Sequence, residues 1–117
     1  MQVQAITRNV RMSAQKMREV VRQIQGLNAR QAQAVLNVVP RKGARLVAKT
    51  LKSAVANAED LKEHNSQYSG LDLEKLRILQ AVAQTSTTMK RFVPKARGSA
   101  GPILKRTCHI KIVLSDE

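Results

Sequence analysis

The sequence predicts an α+β fold, with three helices packed on a small antiparallel sheet and a long extended β-hairpin projecting from the globular body. Three observations support this fold class. Apolar residues recur with helical spacing in three segments between residues 13 and 64, apolar and polar residues alternate near both ends of the chain, and a basic insert separates two predicted strands. A chain of 117 residues has the size of one domain. We expect a globular body of about residues 1–84 and 104–117, and a hairpin tip of about residues 85–103.

The N-terminal part of the chain predicts a strand followed by a helix. Residues 2–9 alternate, with Val3 and Ala5 between polar neighbours. Ser13 is suited to cap the helix, because its hydroxyl can accept a hydrogen bond from a free amide of the first turn. The apolar face of this helix comprises Met17, Val20, Val21 and Ile24. Gly26 is expected just after the helix, where a glycine readily takes a positive φ.

Two further helices are predicted before residue 65. Asn28 can cap the second helix, and Pro40 stops it because proline has no amide hydrogen to continue the helical pattern. The third helix is expected to run from about Arg41 to His64. Much of its apolar stripe is alanine, so neighbouring elements can approach it closely. That stripe comprises Ala44, Val47, Ala48, Leu51, Val55 and Ala58.

A basic insert, residues 85–106, lies between two predicted strands at 76–82 and 107–114. It contains six lysine or arginine side chains and no acid. Its few apolar side chains cannot build a core that would repay the entropy of ordering the segment. Two strands joined by such an insert indicate an extended hairpin with a cationic tip. Because close cations repel one another in water, we expect this tip to be ordered only against a polyanion.

The charge balance indicates a polyanionic partner. The formal net charge is +13, which is far more than solubility requires. An anionic membrane surface is the competing partner, but the third predicted helix has mostly alanine where a membrane-bound helix needs large apolar residues. No segment approaches the ~18 apolar residues that span a bilayer, and the N-terminus lacks the pattern of a secretory signal. The single cysteine, Cys108, favours a reducing compartment, so we expect a cytoplasmic protein.

The residues that carry catalysis or bind metal do not form a recognisable set in this sequence. Cys108 and His109 are adjacent in a predicted strand, so their side chains point to opposite faces, and His64 lies far away in the chain. Residues 98–101 lack the Lys-Ser/Thr pair of a phosphate-binding loop. We therefore expect no enzymatic activity, no metal, no cofactor and no small-molecule substrate. Cys108 lies in an alternating apolar pattern, which favours a buried structural cysteine.

One ridge of cations on the third helix, here termed the basic ridge, points to phosphate as the target. The basic ridge consists of Lys42, Arg45, Lys49 and Lys52. Lysine and arginine side chains of this kind suit phosphate better than base edges. Proteins that bind single strands carry several aromatic residues, whereas this chain has only Tyr68 and Phe92. Recognition of folded RNA by shape and phosphate fits best. A nucleoid-type structural protein that binds duplex DNA is the alternative.

Three segments of the chain resemble one protein family. LKSAVANAE at residues 51–59, MKRFVPKARGSA at 89–100 and ILKRTCHIKIV at 103–113 are similar to the bacterial-type large-subunit ribosomal proteins numbered twenty-two, and the order of elements agrees. The resemblance implies a structural constituent that binds large-subunit rRNA, supports its assembly and lines the nascent-peptide exit tunnel with its hairpin tip. It also implies neighbouring ribosomal proteins and the nascent polypeptide as partners, and neither a membrane nor a homo-oligomer. A cytoplasmic ribosome is expected, and an organelle-encoded ribosome stays open.

The resemblance and the charge pattern together assign two sets of site residues. The cations expected to bind rRNA are Arg8, Arg11, Lys16, Arg18, Arg22, Arg41, Lys42, Arg45, Lys49, Lys52, Lys90, Arg91, Lys95, Arg97, Lys105, Arg106 and Lys111. The residues expected at the tunnel tip are Met89, Lys90, Arg91, Phe92, Pro94, Lys95, Arg97 and Gly98. The tip departs from the family's usual pattern at Lys95, Ser99 and Gly101-Pro102. At the first of these, lysine cannot form the forked phosphate contact that arginine forms.

Overall fold

A computed structural model describes residues 1–116, which form an elongated molecule with extents of 67 × 28 × 16 Å. Within these residues the elements are β1 (Gln2–Val10), α1 (Ala14–Ile24), α2 (Ala29–Val38), α3 (Lys42–His64), β2 (Arg77–Thr85), β3 (Met89–Pro94), β4 (Ala100–Lys105) and β5 (Cys108–Ser115), with short 3₁₀ turns at Ser66–Tyr68, Leu73–Lys75 and Ala96–Gly98. The predicted fold class is confirmed. Helices cover one face of an antiparallel sheet, and a separate hairpin extends from it.

The sheet of the body has the strand order β1-β5-β2, and both outer strands run antiparallel to β5. β5 is central because it carries the most apolar inner face, where Ile110, Ile112 and Leu114 are fully buried. β2 continues to Thr85, beyond its predicted end at residue 82, because its last residues still pair with β5 as far as Cys108. The polypeptide therefore leaves the sheet close to the point where it returns.

Local sequence signals place the helices where they were predicted. The Ser13 Oγ accepts a hydrogen bond of 3.4 Å from the amide of Lys16, and the Asn28 Oδ1 accepts one of 3.0 Å from the amide of Arg30. Gly26 has a φ of +78°, a conformation that glycine adopts without steric cost. Each signal acts within four residues of chain, which explains why the sequence alone locates these ends.

The helices pack closely because small residues face the core. α1 lies against β2, α3 against β1 and β5, and α2 mainly against α3. Ala54 and Ala58 of α3 are fully buried. Thr50 is a buried polar residue of α3, and its hydroxyl donates to the Leu46 carbonyl at 3.1 Å. Since this uses the Thr50 proton, the Thr7 hydroxyl must donate the 2.8 Å bond that joins the two threonines.

β3 and β4 form a two-stranded antiparallel hairpin, residues 89–105, here termed the arm. Its register runs from Met89 opposite Lys105 to Pro94 opposite Ala100. The turn at its tip contains Arg97 and Gly98 with φ of +61° and +73°, and the Lys95 amide closes it with a 2.6 Å bond to the Ser99 carbonyl. No helix packs on the arm within residues 1–116, so nearly all of its side chains face solvent.

Candidate nucleic-acid interface

Apart from Glu19 in α1, the acidic residues described in the structure gather around the C-terminus of α3, the loop that follows it and Asp116. Glu59, Asp60 and Glu63 are exposed in the last turns of α3, and the His64 Nε2 lies 3.6 Å from the Asp60 Oδ1. Asp116 accepts a 3.0 Å hydrogen bond from the N-terminal ammonium, and this bond holds the pKa of the Asp116 carboxyl below its usual value. Because the acids lie together, the rest of the surface is left strongly basic.

Nearly all the cations expected at an RNA contact are on the surface. The exposed ones are Arg8, Arg11, Lys16, Arg18, Arg22, Arg41, Lys42, Arg45, Lys49, Lys52, Lys90, Arg91, Lys95, Arg97, Lys105 and Arg106. Lys111 differs, because it is half-buried on the open face of the sheet, where it is flanked by its strand partners Ile6 and Val82. Several of these cations also contact other protein groups. Arg41 is paired with a carboxylate, and the cations that donate to backbone carbonyls are Arg11, Arg18, Lys42 and Arg91.

The basic ridge is confirmed as an exposed surface along α3. Its four side chains face solvent, and within residues 1–116 none of them lies in an ion pair with an acidic residue. An ordinary solvated helix usually interleaves both signs of charge. A row of unpaired cations over almost three helical turns instead forms a continuous positive stripe, which suits a phosphate backbone.

An open cleft of about 840 Å³, here termed the junction cleft, separates the body from the base of the arm. Its cationic lining comprises Arg11, Lys16, Arg18, Lys42 and Arg106. The Arg11 Nη1 donates to the carbonyl of Arg106 at 2.9 Å, and the Lys42 Nζ donates to the carbonyl of Arg11 at 3.2 Å. Backbone carbonyls thus hold the Arg11 and Lys42 side chains at the cleft, and within residues 1–116 neither side chain forms an ion pair with a carboxylate. Such a concentration of positive charge favours an anion in the cleft.

Arg18 also has a structural contact that the sequence did not indicate. Its Nε donates to the Ala83 carbonyl at 3.2 Å, and the Gln25 Nε2 donates to the Ala81 carbonyl at 2.8 Å. Both carbonyls belong to β2, an edge strand of the sheet, so a side chain of α1 and the side chain of the residue just after α1 donate hydrogen bonds to the edge of the sheet. Arg18 can still offer its remaining donors to the junction cleft, since guanidinium has five N–H groups.

Arg41 is the least available of the predicted RNA ligands. Its Nη1 lies 2.7 Å from the Glu19 Oε2, so a carboxylate already neutralises it. Both side chains are about half exposed, and an ion pair of this kind contributes only ~0–1 kcal/mol. A phosphate could replace the carboxylate at little cost, but Arg41 adds less to the positive field than an unpaired cation does.

The arm presents two different faces. On one side Arg91, Ile103 and Lys105 point outward, and the Lys95 side chain folds back over Gly101, where an added Cβ would lie 2.5 Å from the Lys95 Cε. A side chain at position 101 would therefore displace the exposed Lys95 side chain. The opposite side is mainly apolar, and Phe92 is its most exposed large side chain.

A set of polar contacts fixes the base of the arm to the body. The Ser86 amide donates to the Thr107 carbonyl at 3.1 Å, and the Thr107 hydroxyl donates to the Thr87 carbonyl at 2.6 Å. The Ser86 Oγ bonds the Asn9 Oδ1 at 2.8 Å, and the Asn9 amide donates to the His109 Nδ1 at 3.1 Å. His109 therefore acts as a hydrogen-bond acceptor in a structural contact. No sequence motif marks this cluster, because its members are far apart in the chain.

Two other kinds of site can be considered on the described residues. Across residues 1–116, no three His, Cys, Asp or Glu side chains lie close enough together to hold a metal ion. Within the same residues, no helix has the length and hydropathy needed to cross a membrane. Cys108 is fully buried, as predicted, and burial raises the pKa of its thiol although the charge of Arg18 opposes this effect.

Comparison with known proteins places this chain among ribosomal proteins. A profile of the family described as ribosomal protein L22p/L17e matches residues 5–115. The "Large ribosomal subunit protein uL22" of Akkermansia muciniphila is 44% identical over 117 residues, which are 100% of this chain and 98% of that protein. Those of Opitutus terrae and Finegoldia magna are 47% and 43% identical over 116 residues, 99% of this chain and 96% and 97% of theirs. The chain therefore belongs to the ribosomal protein L22p/L17e family, whose members are structural proteins and not enzymes.

Proposed function

We propose that this protein is a structural constituent of the large ribosomal subunit in the cytoplasm, where it binds rRNA and supports the folding of that RNA. The observation that carries the proposal is the concentration of exposed cations on the basic ridge, in the junction cleft and along the arm, where the acid beside the start of the ridge, Glu19, is already paired with Arg41. From residue 75 to residue 115 the sequence contains no Asp or Glu. A surface of this kind matches a folded polyanion better than it matches any neutral partner.

The mechanism is electrostatic and geometric. Lysine and arginine side chains neutralise phosphates that must come close together when RNA folds, and the release of counterions drives the association. The body supplies a broad anchor through the basic ridge and the junction cleft. The arm supplies reach, since six-residue strands at ~3.3 Å per residue extend about 20 Å beyond the body.

The arm is proposed to line the nascent-peptide exit tunnel. Of the residues expected at its tip, Arg97 and Gly98 lie in the terminal turn, whereas the register places Met89 at the base of the arm. The residues at issue are Met89, Lys90, Arg91, Phe92, Pro94, Lys95, Arg97 and Gly98. The support is the length of the molecule, 67 Å against widths of 28 and 16 Å, together with the family membership of the chain. An arm whose side chains find few partners on its own body is suited to insert between RNA segments. Neighbouring ribosomal proteins and the nascent polypeptide would then be its other contacts.

Sedimentation of the tagged protein with ribosomal subunits tests the proposal. We expect the full-length protein to migrate with the large subunit and to remain there after a high-salt wash. A variant with residues 89–105 replaced by a short Gly-Ser turn should be released by that wash, because only the exposed anchor remains. Protein that stays at the top of the gradient, or that is released from its fraction by a nuclease specific for DNA, would overturn the proposal in favour of a DNA-associated role.

The salt dependence of RNA binding tests the role of the basic ridge. The double substitution Lys49→Ala/Lys52→Ala should lower the slope of log affinity against log salt by about 2, one for each lost phosphate contact. Lys62→Ala and Lys75→Ala are matched controls, because both lysines are exposed but lie beside the acidic residues. Equal slopes for the ridge and control variants would mean that the ridge does not contact phosphate.

A further inference from the structure

The side of the arm opposite to Arg91 is mainly apolar, although it faces solvent. The register places Phe92 opposite Pro102, Lys90 opposite Leu104, and Pro94 opposite Ala100, all pointing to the same side. Phe92 is 72% exposed and Leu104 is 46% exposed. No second layer of the protein covers this side within the described residues.

This exposure is not needed to build the arm. The arm has no core of its own for a phenyl ring to complete, and a two-stranded hairpin gains little from an aromatic ring that faces water. Single exposed apolar residues are common on protein surfaces. Here, however, the one phenylalanine of the chain stands opposite a proline and two positions from a lysine on the same side of the arm, so a ring and a cation are presented together.

We propose that the Phe92 ring is a stacking platform for an unpaired base of the RNA that the arm enters. This inference rests on the proposed function, because it requires the arm to lie in RNA. A flat aromatic ring stacks on any nucleobase, since every base has a π face. Pro102, whose ring fixes its own backbone, holds the cross-strand position beside Phe92. The platform therefore recognises a base without reading its identity.

The charge around the platform favours a nucleotide over an apolar protein surface. Lys90 lies two positions from Phe92, about 6.6 Å along the strand, and on the same side of the arm. Arg91 and Lys105 stand on the opposite side. Covering the Phe92 side with an apolar protein segment would bring the Lys90 ammonium near a low-dielectric surface without a counterion. A nucleotide brings both a ring for Phe92 and a phosphate for Lys90.

The absence of tryptophan from the sequence makes a direct measurement possible. Phe92→Trp introduces the sole tryptophan of the full-length chain, and the one tyrosine, Tyr68, lies in the body. Ile103→Trp is the matched control, since Ile103 is 39% exposed on the opposite side of the same arm. Both variants are titrated with protein-free large-subunit rRNA, and affinity is followed separately by filter retention.

We expect saturating rRNA to quench the fluorescence of Phe92→Trp by more than half and to protect it from acrylamide, with a much smaller change for Ile103→Trp. Phe92→Leu should weaken binding roughly tenfold, and Phe92→Tyr should restore it, because stacking needs a ring rather than an apolar side chain. In reconstituted large subunits the Phe92→Trp emission should stay quenched.

Three outcomes would overturn the inference. If Phe92→Leu binds rRNA with wild-type affinity and the fluorescence of RNA-bound Phe92→Trp is not quenched, the protein binds RNA without stacking at position 92. If the tryptophan emission in reconstituted subunits shifts to the blue without quenching, the ring is buried against protein rather than a base. If the wild-type chain itself does not bind rRNA in the filter assay, the proposed function fails and the inference fails with it.

Discussion

The Arg11 guanidinium donates a 2.9 Å hydrogen bond to the backbone carbonyl of Arg106, and so links the segment after β1 to the base of the arm. The Arg11 guanidinium thereby lies against the backbone of a second basic residue, and both residues line the junction cleft. The Lys42 ammonium joins them through the Arg11 carbonyl. The same contact therefore has two consequences: it fixes the direction in which the arm leaves the body, and it concentrates positive charge at the mouth of the junction cleft.

Replacing Arg11 should weaken rRNA binding while changing the stability of the fold very little. We expect Arg11→Ala to lower the free energy of unfolding by only about 0.5 kcal/mol, because the lost bond is exposed. Binding to rRNA should weaken, and the salt slope should fall by about 1. Urea denaturation and filter binding across a salt series measure the two effects. Arg30→Ala is the control, since Arg30 is an exposed cation of α2 outside the expected interface. A loss of stability comparable to that of a core substitution would contradict this account.

The hydroxyl pair of Thr7 and Thr50 predicts a non-additive effect on stability. Thr50→Val removes the acceptor of the Thr7 hydroxyl in a largely buried site, so we expect a cost of about 1–2 kcal/mol. Thr7→Val should also destabilise the protein. The double variant should cost less than the sum of the two, because no polar group is then left without its partner. Thermal or urea unfolding of the four proteins gives the coupling energy.

The control for this cycle is Ser53→Ala, at an exposed position of the same helix, which should change stability by less than about 0.5 kcal/mol. A strictly additive cycle would show that the 2.8 Å contact does not operate in solution.

The elements that could be predicted from the sequence are those with local signals. Ser13, Asn28 and Gly26 act within a few residues, and the alternation around Cys108 indicated both a strand and a buried thiol. The contacts at the base of the arm could not be predicted in this way. Asn9 and Ser86 are ordinary polar residues 77 positions apart, and only the sheet register brings them together. The same is true of Arg18, whose charge was visible but whose bond to the β2 edge was not.

The buried thiol of Cys108 predicts a loss of stability at alkaline pH. Burial raises the pKa of this thiol in the folded state above its value in the unfolded chain, about 8.5. The stability that the buried neutral thiol contributes is therefore fully present below the unfolded-state pKa. It is lost as the pH rises from there through the folded-state pKa, because the unfolded chain releases its proton first. We expect the wild-type protein to lose more stability between about pH 7 and pH 10 than Cys108→Ala loses, although the variant is less stable at neutral pH. Urea denaturation at each pH tests this difference. Identical pH profiles for the two proteins would refute it.

The arm should be the least stable part of the free protein. Its two strands have no third strand or covering helix in the described structure, and an isolated hairpin is marginal in water. We therefore expect fast amide hydrogen exchange for residues 89–105 without RNA, while the Ile112 amide of β5 exchanges only on global unfolding. Lys90→Ala/Arg91→Ala should shift Tm by less than about 2 °C, because neither side chain supports the body. Strong protection of the arm without RNA, or a large fall in Tm, would mean that the arm is stabilised by the protein itself and that RNA is not what orders it.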